Sequence, residues 1–548
     1  MSGAYVHAAD SRAAASLLLL RDGQGGLEVL MLRRAERDGD MRSGAVVFPG
    51  GVLDARDRDA HGLCLGPDDA AASAQLGMAC GGLDYLVAAA RETFEEVGLL
   101  LVVGVFDIEA LQPWRERLQQ GLGSIAELCR EHGLQLDLRG LAYFSHWLTP
   151  PGTAKRFDTR FFAALAPAGQ VAQADMGEAV ELMWITPLDA LDPQRGLKLL
   201  PVTRRTLLEL GRHVSAEQAL AAAGAKTQIA LVMPRRCRSA KGPTVVLPDE
   251  LAYAEVGRLD PEGRGDVWCD LLPGRATRLS PRVLRVTAPN PGPMTGPGTN
   301  SYLVGDGVAW TVIDPGPVSD VHLQSLLAAA GGGRIERIVV THTHRDHSPG
   351  ALALARVCGA PVWGRVATFA DWQDSSFVPA RELQHGDLIQ AGSGSGATLR
   401  VLHTPGHASN HLCYLLEEEK LLFTGDHVMQ GSTVVINPPD GDMAAYLRAL
   451  QDLLQVDLDW LAPGHGFLVA DPHSVLRALI NHRLRREAKV LAAVQALGHA
   501  AIDALLPRVY DDVPAGLHPV ARRSLLAHLL KLQGDGKAGL HGELWSAG

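Results

Sequence analysis

The chain has 548 residues, of which 47% are hydrophobic and 20% are charged, and its formal net charge is -10. This length exceeds one ordinary domain, so we expect two or more compact units, each with an apolar core. The acidic balance argues against a nucleic-acid grip over the whole surface, and no apolar run approaches the length that crosses a bilayer. We therefore expect no membrane partner.

The cysteines and the N-terminal residues bear on location. The seven cysteines are scattered, odd in number and never spaced as CxxC, which predicts neither a disulfide framework nor a cysteine-based zinc knuckle. The N-terminal segment carries acid and lacks the basic start of a secretion signal. The apolar run Leu17–Leu20 is short and leads directly into Arg21 and Asp22, so it is predicted as a core strand. A cytoplasmic location is the expectation.

The first half alternates strand and helix patterns and is predicted as one domain over residues 10–233. Strands are predicted over 14–34, 44–48, 143–148 and 156–165, and helices over 84–97, 187–191 and 204–210. The following stretch, 234–282, is less periodic and carries Pro, Gly and charge, so it is predicted as a connector that could still contain strands.

The second half begins a new alternation of strands and helices, predicted as a domain over residues 283–480. Its apolar strands are predicted over 301–304, 310–314, 335–341, 397–402 and 421–424. Residues 481–548 turn helical, with a helix over Pro519–Gln533 that ends at a Gly-Asp-Gly turn. This last part is predicted as a small C-terminal extension.

The helix of the first half carries an unusual set of acids. Glu92, Glu95 and Glu96 are three and four residues apart, so they project from one face of the helix. Like charges at this spacing repel one another, and a divalent cation would compensate them. Hard carboxylate oxygens favour Mg²⁺ or Mn²⁺, which commonly link protein carboxylates to substrate phosphates. A solvated acidic face is the ordinary explanation for glutamates alone.

The surrounding residues strengthen the cation hypothesis. RETFEEVGL, from Arg91 to Leu99, resembles the second half of the Nudix box, and VFPGGVLDARDRD resembles the stretch around its glycine. The glutamate of an uninterrupted box would fall at Leu83, whereas Gly50 and Gly51 lie far upstream. The long insertion between these parts resembles the peroxisomal coenzyme A diphosphatase branch.

The Nudix resemblance implies roles for several residues. Glu92, Glu95 and Glu96 would hold Mg²⁺ or Mn²⁺ and help to activate water, and Arg91 would tether the helix by a salt bridge. Glu178 could supply a further carboxylate. The implied reaction is hydrolysis of a diphosphate linkage in a nucleotide derivative, with coenzyme A or its esters favoured. The alternative is a degenerate, non-catalytic domain that senses nucleotides and regulates the second half.

The second half contains a dense cluster of histidine and aspartate. In RIVVTHTHRDH a buried strand runs into a loop, and alternate residues at a strand end can turn toward one point, which places His342 and His344 together. Asp346 and His347 follow and can face a second ion. His407, Asp426 and His465 each follow an apolar run and lie beside a glycine. Imidazole and carboxylate are the ligands expected for zinc or a similar first-row metal.

This constellation resembles the metallo-β-lactamase superfamily. The resemblance implies that His342, His344 and His407 hold one metal, that Asp346, His347 and His465 hold another, and that Asp426 bridges them. It also implies that Asp314 orients ligands, and that Asp346 orients or deprotonates a water shared by two zinc ions. A metal site kept only for stability is disfavoured, because it would close with four ligands. The implied architecture is a Nudix α/β/α sandwich, a metallo-β-lactamase αββα sandwich and a winged-helix-like extension.

The branch within that superfamily leaves two substrate classes open. NPGPMTGPGTNSYLVG and the C-terminal helices resemble the beta-lactamase-like endoribonuclease group more than glyoxalase II. The first group implies single-stranded RNA as substrate, with phosphate contacts from a set of arginines: Arg483, Arg485, Arg486, Arg522 and Arg523. The competing class is an acyl thioester, as in glyoxalase-like relatives. We predict a bifunctional metal-dependent hydrolase that cuts a diphosphate in its first half and a thioester or phosphodiester in its second. Neither the substrate-binding residues nor the oligomeric state follows from the sequence.

Overall fold

A computed structural model describes residues 10–36, 43–174, 179–394 and 396–548. The chain forms two compact units, one built mainly from residues up to Arg236 and the other mainly from Asp266 onward, with the residues between them divided among both. No helix among the described residues has the length and apolar character needed to span a bilayer.

The first unit is a mixed sheet covered by helices on both faces. Its strands are Arg12–Gly23 (β1), Gly26–Arg34 (β2), Ala45–Val47 (β3), Gly50–Val52 (β4), Cys64–Leu65 (β5), Val102–Val103 (β6), Gln135–Asp137 (β7), Ala142–Leu148 (β8), Phe157–Leu165 (β9), Ala179–Ile185 (β10), Lys198–Leu199 (β11) and Leu231–Val232 (β12). Its helices are Asp69–Gln75 (α1), Gly82–Val97 (α2), Gln112–Gln119 (α3), Ile125–His132 (α4), Pro187–Leu191 (α5), Pro201–Leu210 (α6) and Ala216–Gly224 (α7).

The main sheet of this unit runs in the order β11-β3-β2-β1-β9-β8-β12, with β10 on β2 and β4 on β1. Strand β1 lies at its centre and pairs in parallel with β9, which explains why Leu17–Leu20 is wholly buried. One apolar core packs this sheet against α2, and a second packs its other face against α6 and α7. This is the predicted α/β/α sandwich, and it presents the acidic face of α2 beside β4.

The second unit is built around two large sheets, with smaller strand pairings beside them. Its strands begin with the hairpin Arg235–Ser239 (β13) and Gly242–Val246 (β14), whose residues are divided between the units. The others are Ala276–Ser280 (β15), Val283–Thr287 (β16), Asn300–Gly305 (β17), Ala309–Ile313 (β18), Arg334–Val339 (β19), Val362–Gly364 (β20), Arg381–Glu382 (β21), Leu388–Gln390 (β22), Thr398–His403 (β23), Leu412–Leu416 (β24), Leu421–Gly425 (β25), Trp460–Pro463 (β26), Val469–Ala470 (β27), His499–Ala500 (β28), Ala538–His541 (β29) and Leu544–Ala547 (β30).

The helices of this unit lie outside the two sheets. They are Tyr253–Leu259 (α8), Asp320–Ala329 (α9), Gly350–Cys358 (α10), Met443–Leu453 (α11), Pro472–Leu497 (α12), Ile502–Val509 (α13) and His518–Gly534 (α14). The sheet β15–β21 and the sheet β22–β27 enclose a shared apolar core, while α9 and α10 cover one outer face and α11 and α12 cover the other. This is the predicted αββα sandwich.

The range 234–282, predicted as a connector, contributes structure to the second unit. Strand β15 extends the first sheet, and Glu255 on α8 forms a buried bidentate ion pair with Arg285 on β16, with N–O distances of 2.6 and 2.7 Å. The same carboxylate accepts from the Leu468 N–H at 2.7 Å, three residues beyond His465. Segment 249–260 therefore supports a loop that carries a predicted metal ligand.

The C-terminal extension is not purely helical. Helices α13 and α14 pack on α12 over a separate apolar core, and β28, β30 and β29 form a small sheet beside them. The prediction of a helix over Pro519–Gln533 agrees with α14. The residues after this helix form the hairpin β29–β30, which agrees with the winged-helix-like architecture predicted for the extension.

Two candidate metal sites

The predicted ligands of the second unit converge at one edge of its two sheets. Strand β19 ends just before the loop that holds His342, His344, Asp346 and His347, while Asp426 and His465 follow the parallel strands β25 and β26. His407 lies in the connection from β23 to β24. Since parallel strands end at the same edge of a sheet, residues more than a hundred positions apart meet there.

Three imidazoles form the first group. His342 Nε2 and His407 Nε2 each lie 3.0 Å from His344 Nδ1. Zinc held at about 2.0–2.1 Å by nitrogen in a tetrahedral site would separate its ligand atoms by roughly 3.3 Å. His342 Nδ1 is 3.0 Å from Thr341 Oγ1, and His407 Nδ1 donates to the Val435 carbonyl at 2.7 Å, which leaves both Nε2 atoms free to coordinate.

Two carboxylates and two imidazoles form the second group, which consists of Asp346, His347, Asp426 and His465 with ligand atoms all within 4.8 Å of one another. Asp426 Oδ1 lies 3.4 Å from His347 Nε2 and 3.3 Å from His465 Nε2. Its other oxygen, Oδ2, lies 3.8 Å from His407 Nε2, in the first group. Asp426 therefore has one oxygen directed at each group, the arrangement that a bridging ligand requires.

The two groups differ in their electrostatics. Burial lowers the pKa of His342 well below its ordinary value and that of His344 to about 3, so these rings are neutral. Burial acts in the same direction on His347 and His465, but the charges of Asp346 and Asp426 outweigh it. These carboxylates raise the pKa of His347 well above its ordinary value and that of His465 to about 9. The second group thus stabilises positive charge at its centre.

The donor set fits two divalent ions. His347 Nε2, His465 Nε2 and Asp426 Oδ1 are buried, and none has a hydrogen-bond partner among the described residues. Buried polar atoms without partners are costly, and coordination of a cation would satisfy all three. A residue with a side chain at position 464 would not fit, because a Cβ on Gly464 would lie 2.7 Å from Asp426 Oδ1 and 2.8 Å from His347 Cε1.

Asp314 holds the ligand loop from beneath. Its Oδ1 accepts from the Thr341 N–H at 2.7 Å, and its Oδ2 accepts from Thr341 Oγ1 at 2.7 Å and lies 2.9 Å from His347 Nδ1. The last contact directs His347 Nε2 toward the ligand group. The backbone of Asp314 is left-handed, with φ of 50°, a conformation that Asp and Asn tolerate better than other non-glycine residues.

His411 is a buried contributor that the sequence interpretation missed. Its Nε2 accepts from the backbone N–H of Asp426 at 3.2 Å, which leaves Nδ1 to donate to Thr404 Oγ1 at 2.9 Å. The ring also stacks on His342 with centroids 5.1 Å apart. The second histidine in HASNH was a visible signal, but its spacing does not separate a ligand from a support.

In the first unit, Arg91 organises the acidic face of α2. Its Nε and Nη2 bind the Asp57 carboxylate at 2.7 and 3.2 Å, and its Nη1 donates to Glu92 at 2.8 Å and to Glu95 at 3.0 Å. Asp57 is 1% exposed and supplies the carboxylate that the predicted salt bridge of Arg91 requires. The sequence interpretation missed Asp57, because it searched for the missing glutamate at Leu83, which is buried in the core on α2.

The three glutamates do not converge in the way that the histidine site does. Glu92 and Glu95 both bind Arg91, whereas Glu96 accepts from the Gly50 N–H at 2.8 Å. In the described part of the chain, they are absent from the groups of ligand atoms lying within 4.8 Å of one another. Gly51 is required beside them, because a Cβ there would lie 2.5 Å from the Glu92 carboxylate. Glu178 lies outside the described residues.

The acidic face of α2 is partly buried and lies beside a cavity. Burial, with Glu95 nearby, raises the pKa of Glu92 to about 7 despite the opposing charge of Arg91. Burial raises the pKa of Glu95 as well. A cavity of about 290 Å³ opens beside these acids and is also lined by Asp54, Arg56 and Gln119. Oxygen donors of this kind suit a hard divalent cation, which would favour their ionised forms.

The arginines predicted for RNA contacts fall into two classes. Arg483 is 3% exposed, donates to the Val434 carbonyl and stacks on Tyr446. Arg486 is 8% exposed and binds Asp512 at 2.7 and 2.9 Å. These two side chains hold α12 in place and are not available to phosphates, so the prediction is wrong for them. Arg485 and Arg522 are exposed, and Arg523 is partly exposed.

Comparison with protein families identifies three segments. Residues 294–465 match the family described as the metallo-beta-lactamase superfamily, residues 67–199 match the NUDT19 Nudix domain, and residues 501–545 match the beta-lactamase associated winged helix domain. These matches confirm the predicted combination of fold classes. They cover the histidine site, α2 and the C-terminal extension.

Individual relatives match one half of the chain at a time. An atrochrysone carboxyl ACP thioesterase of Aspergillus chevalieri is 33% identical over 272 residues, which is 47% of this chain and 83% of the relative. The beta-lactamase-like protein 2 homolog of Drosophila melanogaster is 31% identical over 280 residues, 49% of this chain and 92% of the relative. A NUDIX hydrolase structure from Alicyclobacillus acidocaldarius is 28% identical, covers 39% of this chain and 96% of its own, and has a TM-score of 0.33.

Proposed function

Because the chain belongs to the metallo-β-lactamase superfamily and also carries a Nudix domain, we propose that it degrades coenzyme A thioesters in two steps. The second unit would hydrolyse the thioester, and the first would cut the diphosphate of the released coenzyme A. The chain is a metal-dependent hydrolase, and the proposal concerns its substrates. The carrying observation is the preformed histidine–aspartate site, with Asp426 directed at both ligand groups.

In the second unit, the residues around the ligand groups would have separate tasks. His342, His344 and His407 would hold one divalent ion, Asp346, His347 and His465 the other, and Asp426 would bridge them. Bound ions supply Lewis-acid polarisation of the thioester carbonyl and a lowered pKa for the attacking water. Asp346 is the most exposed carboxylate ligand, with 30% of its side chain accessible, and it would orient that water and accept its proton.

Two observations favour a thioester over RNA. The relative from Aspergillus chevalieri, which aligns with half of this chain, is named a thioesterase. In addition, burial removes Arg483 and Arg486 from the set of arginines that could contact an RNA backbone. Phosphate contacts dominate the affinity of proteins for nucleic acids, so this loss weakens the RNA hypothesis.

In the first unit, Glu92, Glu95 and Glu96 would hold Mg²⁺ or Mn²⁺ against the diphosphate. Arg91 keeps Glu92 and Glu95 on one side of the cavity, and Arg115 binds the backbone carbonyls of Glu95 and Glu96 at 2.9 Å. The positive charge of Arg115, at the carboxyl end of α2, also interacts favourably with the helix dipole. The acidic residues would therefore be presented by a helix that is anchored at both its side and its end.

A second candidate is a first unit that senses nucleotides without cutting them. This candidate is favoured because Glu95 binds Arg91 and Glu96 binds the Gly50 N–H, and neither contact needs a metal ion. In that case Glu95→Gln with Glu96→Gln would leave the products of the chain unchanged.

The test follows the products of the full chain by mass spectrometry. With a panel of acyl-CoA substrates and Mg²⁺, we expect free acid and the two fragments of the cleaved diphosphate. The Glu95→Gln/Glu96→Gln variant should stop at coenzyme A. The His342→Ala/His344→Ala variant should release no free acid and contain less bound metal. Cleavage of single-stranded RNA by the wild type, with no acyl-CoA turnover, would refute the proposal.

A further inference from the structure

An exposed tryptophan stands beside the metal ligands of the second unit. Trp372 is 59% exposed and has a left-handed backbone, with φ of 69°. This conformation is strained for a bulky side chain, and strain of this kind persists where the surrounding structure imposes it. Its neighbour Gln373 pairs with His344 through an isolated β-bridge. Trp372 therefore directly precedes, in the chain, a residue whose backbone pairs with a member of the first ligand group.

The loop around Trp372 is fixed to the ligand loops. Gln373 Oε1 accepts from Thr343 Oγ1 at 2.6 Å, and its Nε2 donates to Asp440 Oδ2 at 3.0 Å. Asp440 in turn accepts from Ser409 Oγ at 2.5 Å, two residues after His407. The Asp374 N–H donates to the Thr343 carbonyl at 2.6 Å. The backbone that carries Trp372 is therefore attached by hydrogen bonds to the loops that hold the ligands.

Two arginines are associated with this loop. The guanidinium carbon of Arg523, on α14 of the C-terminal extension, lies 5.1 Å from the Trp372 ring centroid. Arg345 directly follows His344, the residue that pairs with Gln373. Among the described residues, neither arginine forms an ion pair with a carboxylate, so both guanidinium groups are available to an anionic ligand.

We propose that Trp372, Arg345 and Arg523 form a subsite for the nucleotide end of a coenzyme A thioester. The inference rests on the proposed function and names the part of the substrate that the site recognises. The adenine would stack on the free face of the indole, and the phosphates would bind the two guanidinium groups. The flexible pantetheine arm would then carry the thioester to the ligand groups.

The chemistry of the three side chains favours this end of the substrate over the acyl group. Guanidinium groups bind phosphate through paired, charge-assisted hydrogen bonds, whereas an acyl chain would leave them without partners. An arginine over one face of an indole also makes the other face a suitable stacking surface for a base. The subsite gives the C-terminal extension a role in substrate recognition, through Arg523.

The test compares an acyl-CoA with the matching acyl-pantetheine, which lacks the nucleotide. Both are assayed by thiol release with the full chain in the Glu95→Gln/Glu96→Gln background. Trp372→Gly and Arg523→Gln should each lower the ratio of kcat/KM for acyl-CoA over acyl-pantetheine by about tenfold, the range expected for a base stack or a phosphate contact. Inhibition by adenosine 3′,5′-bisphosphate should weaken by a similar factor. Trp372→Phe, which keeps an aromatic face, should restore most of the ratio.

Controls separate recognition from structure. Glycine adopts φ of 69° without strain, so Trp372→Gly should leave the Tm equal or higher, whereas loss of a merely structural tryptophan would lower it. Arg356→Gln, on the exposed side of α10, should leave the ratio unchanged. An unmoved ratio in the Trp372 and Arg523 variants, with acyl-CoA still hydrolysed, would overturn the subsite alone. Absence of acyl-CoA hydrolysis by the wild type would overturn the proposed function and the subsite together.

Discussion

The two candidate metal sites of this chain differ in what their side chains contact. In the second unit, neighbouring imidazole and carboxylate atoms of the ligand groups lie 3.0–3.8 Å from one another. In the first unit, Arg91 binds Glu92 and Glu95, whereas the Gly50 N–H binds Glu96. The side chains of the histidine site contact one another, whereas the glutamates of the first unit contact Arg91 and the Gly50 N–H.

The difference follows from charge. In the first group, burial lowers the pKa of each of the three histidines, so the neutral rings lie together without repulsion. In the second group, the charges of Asp346 and Asp426 raise the pKa of His347 and His465, so opposite charges attract one another. Three glutamates on one helix face cannot converge without a cation, so the internal cation Arg91 takes that place in part. We expect the second site to depend on its metals and the first site to depend on Arg91.

The largest effect is expected at the bridging ligand. Asp426→Ala removes the carboxylate directed at both groups, so both ions should be lost and thioester hydrolysis should fall by about 10³-fold. Elemental analysis and thiol release measure this, and diphosphate cleavage by the first unit should persist. Asp452→Ala, on the exposed side of α11, serves as the control. Two ions still bound to the Asp426 variant would contradict the bridging role.

The next effect concerns the stability of the first unit. Arg91→Met leaves Asp57 buried without its partner and Glu92 beside Glu95 without compensation, so unfolding should become easier by about 3–5 kcal/mol. Hydrogen exchange of α2 reports on this unit separately from the other. Arg204→Met, on the exposed face of α6, is the matched control. If α2 exchanges equally slowly in both variants, Arg91 does not organise the site.

A smaller effect is expected beneath the histidine site. Asp314→Asn keeps a residue that tolerates the left-handed backbone but weakens the contact that orients His347, so affinity for one of two metals should fall by roughly 10–100-fold. Competition with a chelator measures the affinity. Asp320→Asn should behave like the wild type. Equal loss of both ions would show that Asp314 supports the whole loop and not one ligand group.

The smallest effect is a pH dependence of the metal-free first unit. Because burial raises the pKa of Glu92 to about 7, the protonated form is favoured in the folded state. Its stabilising contribution is fully present below the ordinary pKa of a glutamate and is lost as the pH rises through about 7. Between pH 5 and pH 8 the loss should amount to about 2–3 kcal/mol.

The measurement is unfolding of the first unit in chelator at pH 5 and pH 8. Glu92→Gln should flatten the difference between the two pH values, and Glu116→Gln on α3 should leave it unchanged. Added Mg²⁺ should restore stability at pH 8 in the wild type, because a cation favours the ionised carboxylates. A wild type that is equally stable at both pH values would show that Arg91 compensates the charge fully.

Local patterns predicted much of the secondary structure. Helix α2 was expected over 84–97 and begins two residues earlier, and α5 was expected at its observed bounds, since both have clear periodicity and end signals. The short strands β29 and β30 escaped prediction. Strand β30 pairs with β28 through Trp545 and Ala500, 45 positions apart, and β29 pairs with β30, so this small sheet depends on contacts distant in sequence.

In the candidate sites too, some residues carry a local sequence signal and others do not. All seven predicted ligands of the second unit carry signals within their own segments, as in THTHRDH, TGDH and PGHG, so their residue types suffice to suggest a metal. Asp57 carries no such signal, because its partner Arg91 is 34 positions away across an insertion. Arg483 and Arg486 were assigned to the surface, because helical spacing does not reveal which face the extension covers.

The sequence by itself determined the residue types at the histidine site, the acidic helix and the order of the domains, since these depend on short-range chemistry and periodicity. Only the tertiary structure decided that Asp426 is directed at both ligand groups, that Asp57 pairs with Arg91 and that α8 supports the His465 loop. It also placed Arg523 over Trp372, 151 positions apart in the chain. Such contacts join segments distant in sequence, and burial, which decides their energies, is a property of the folded chain.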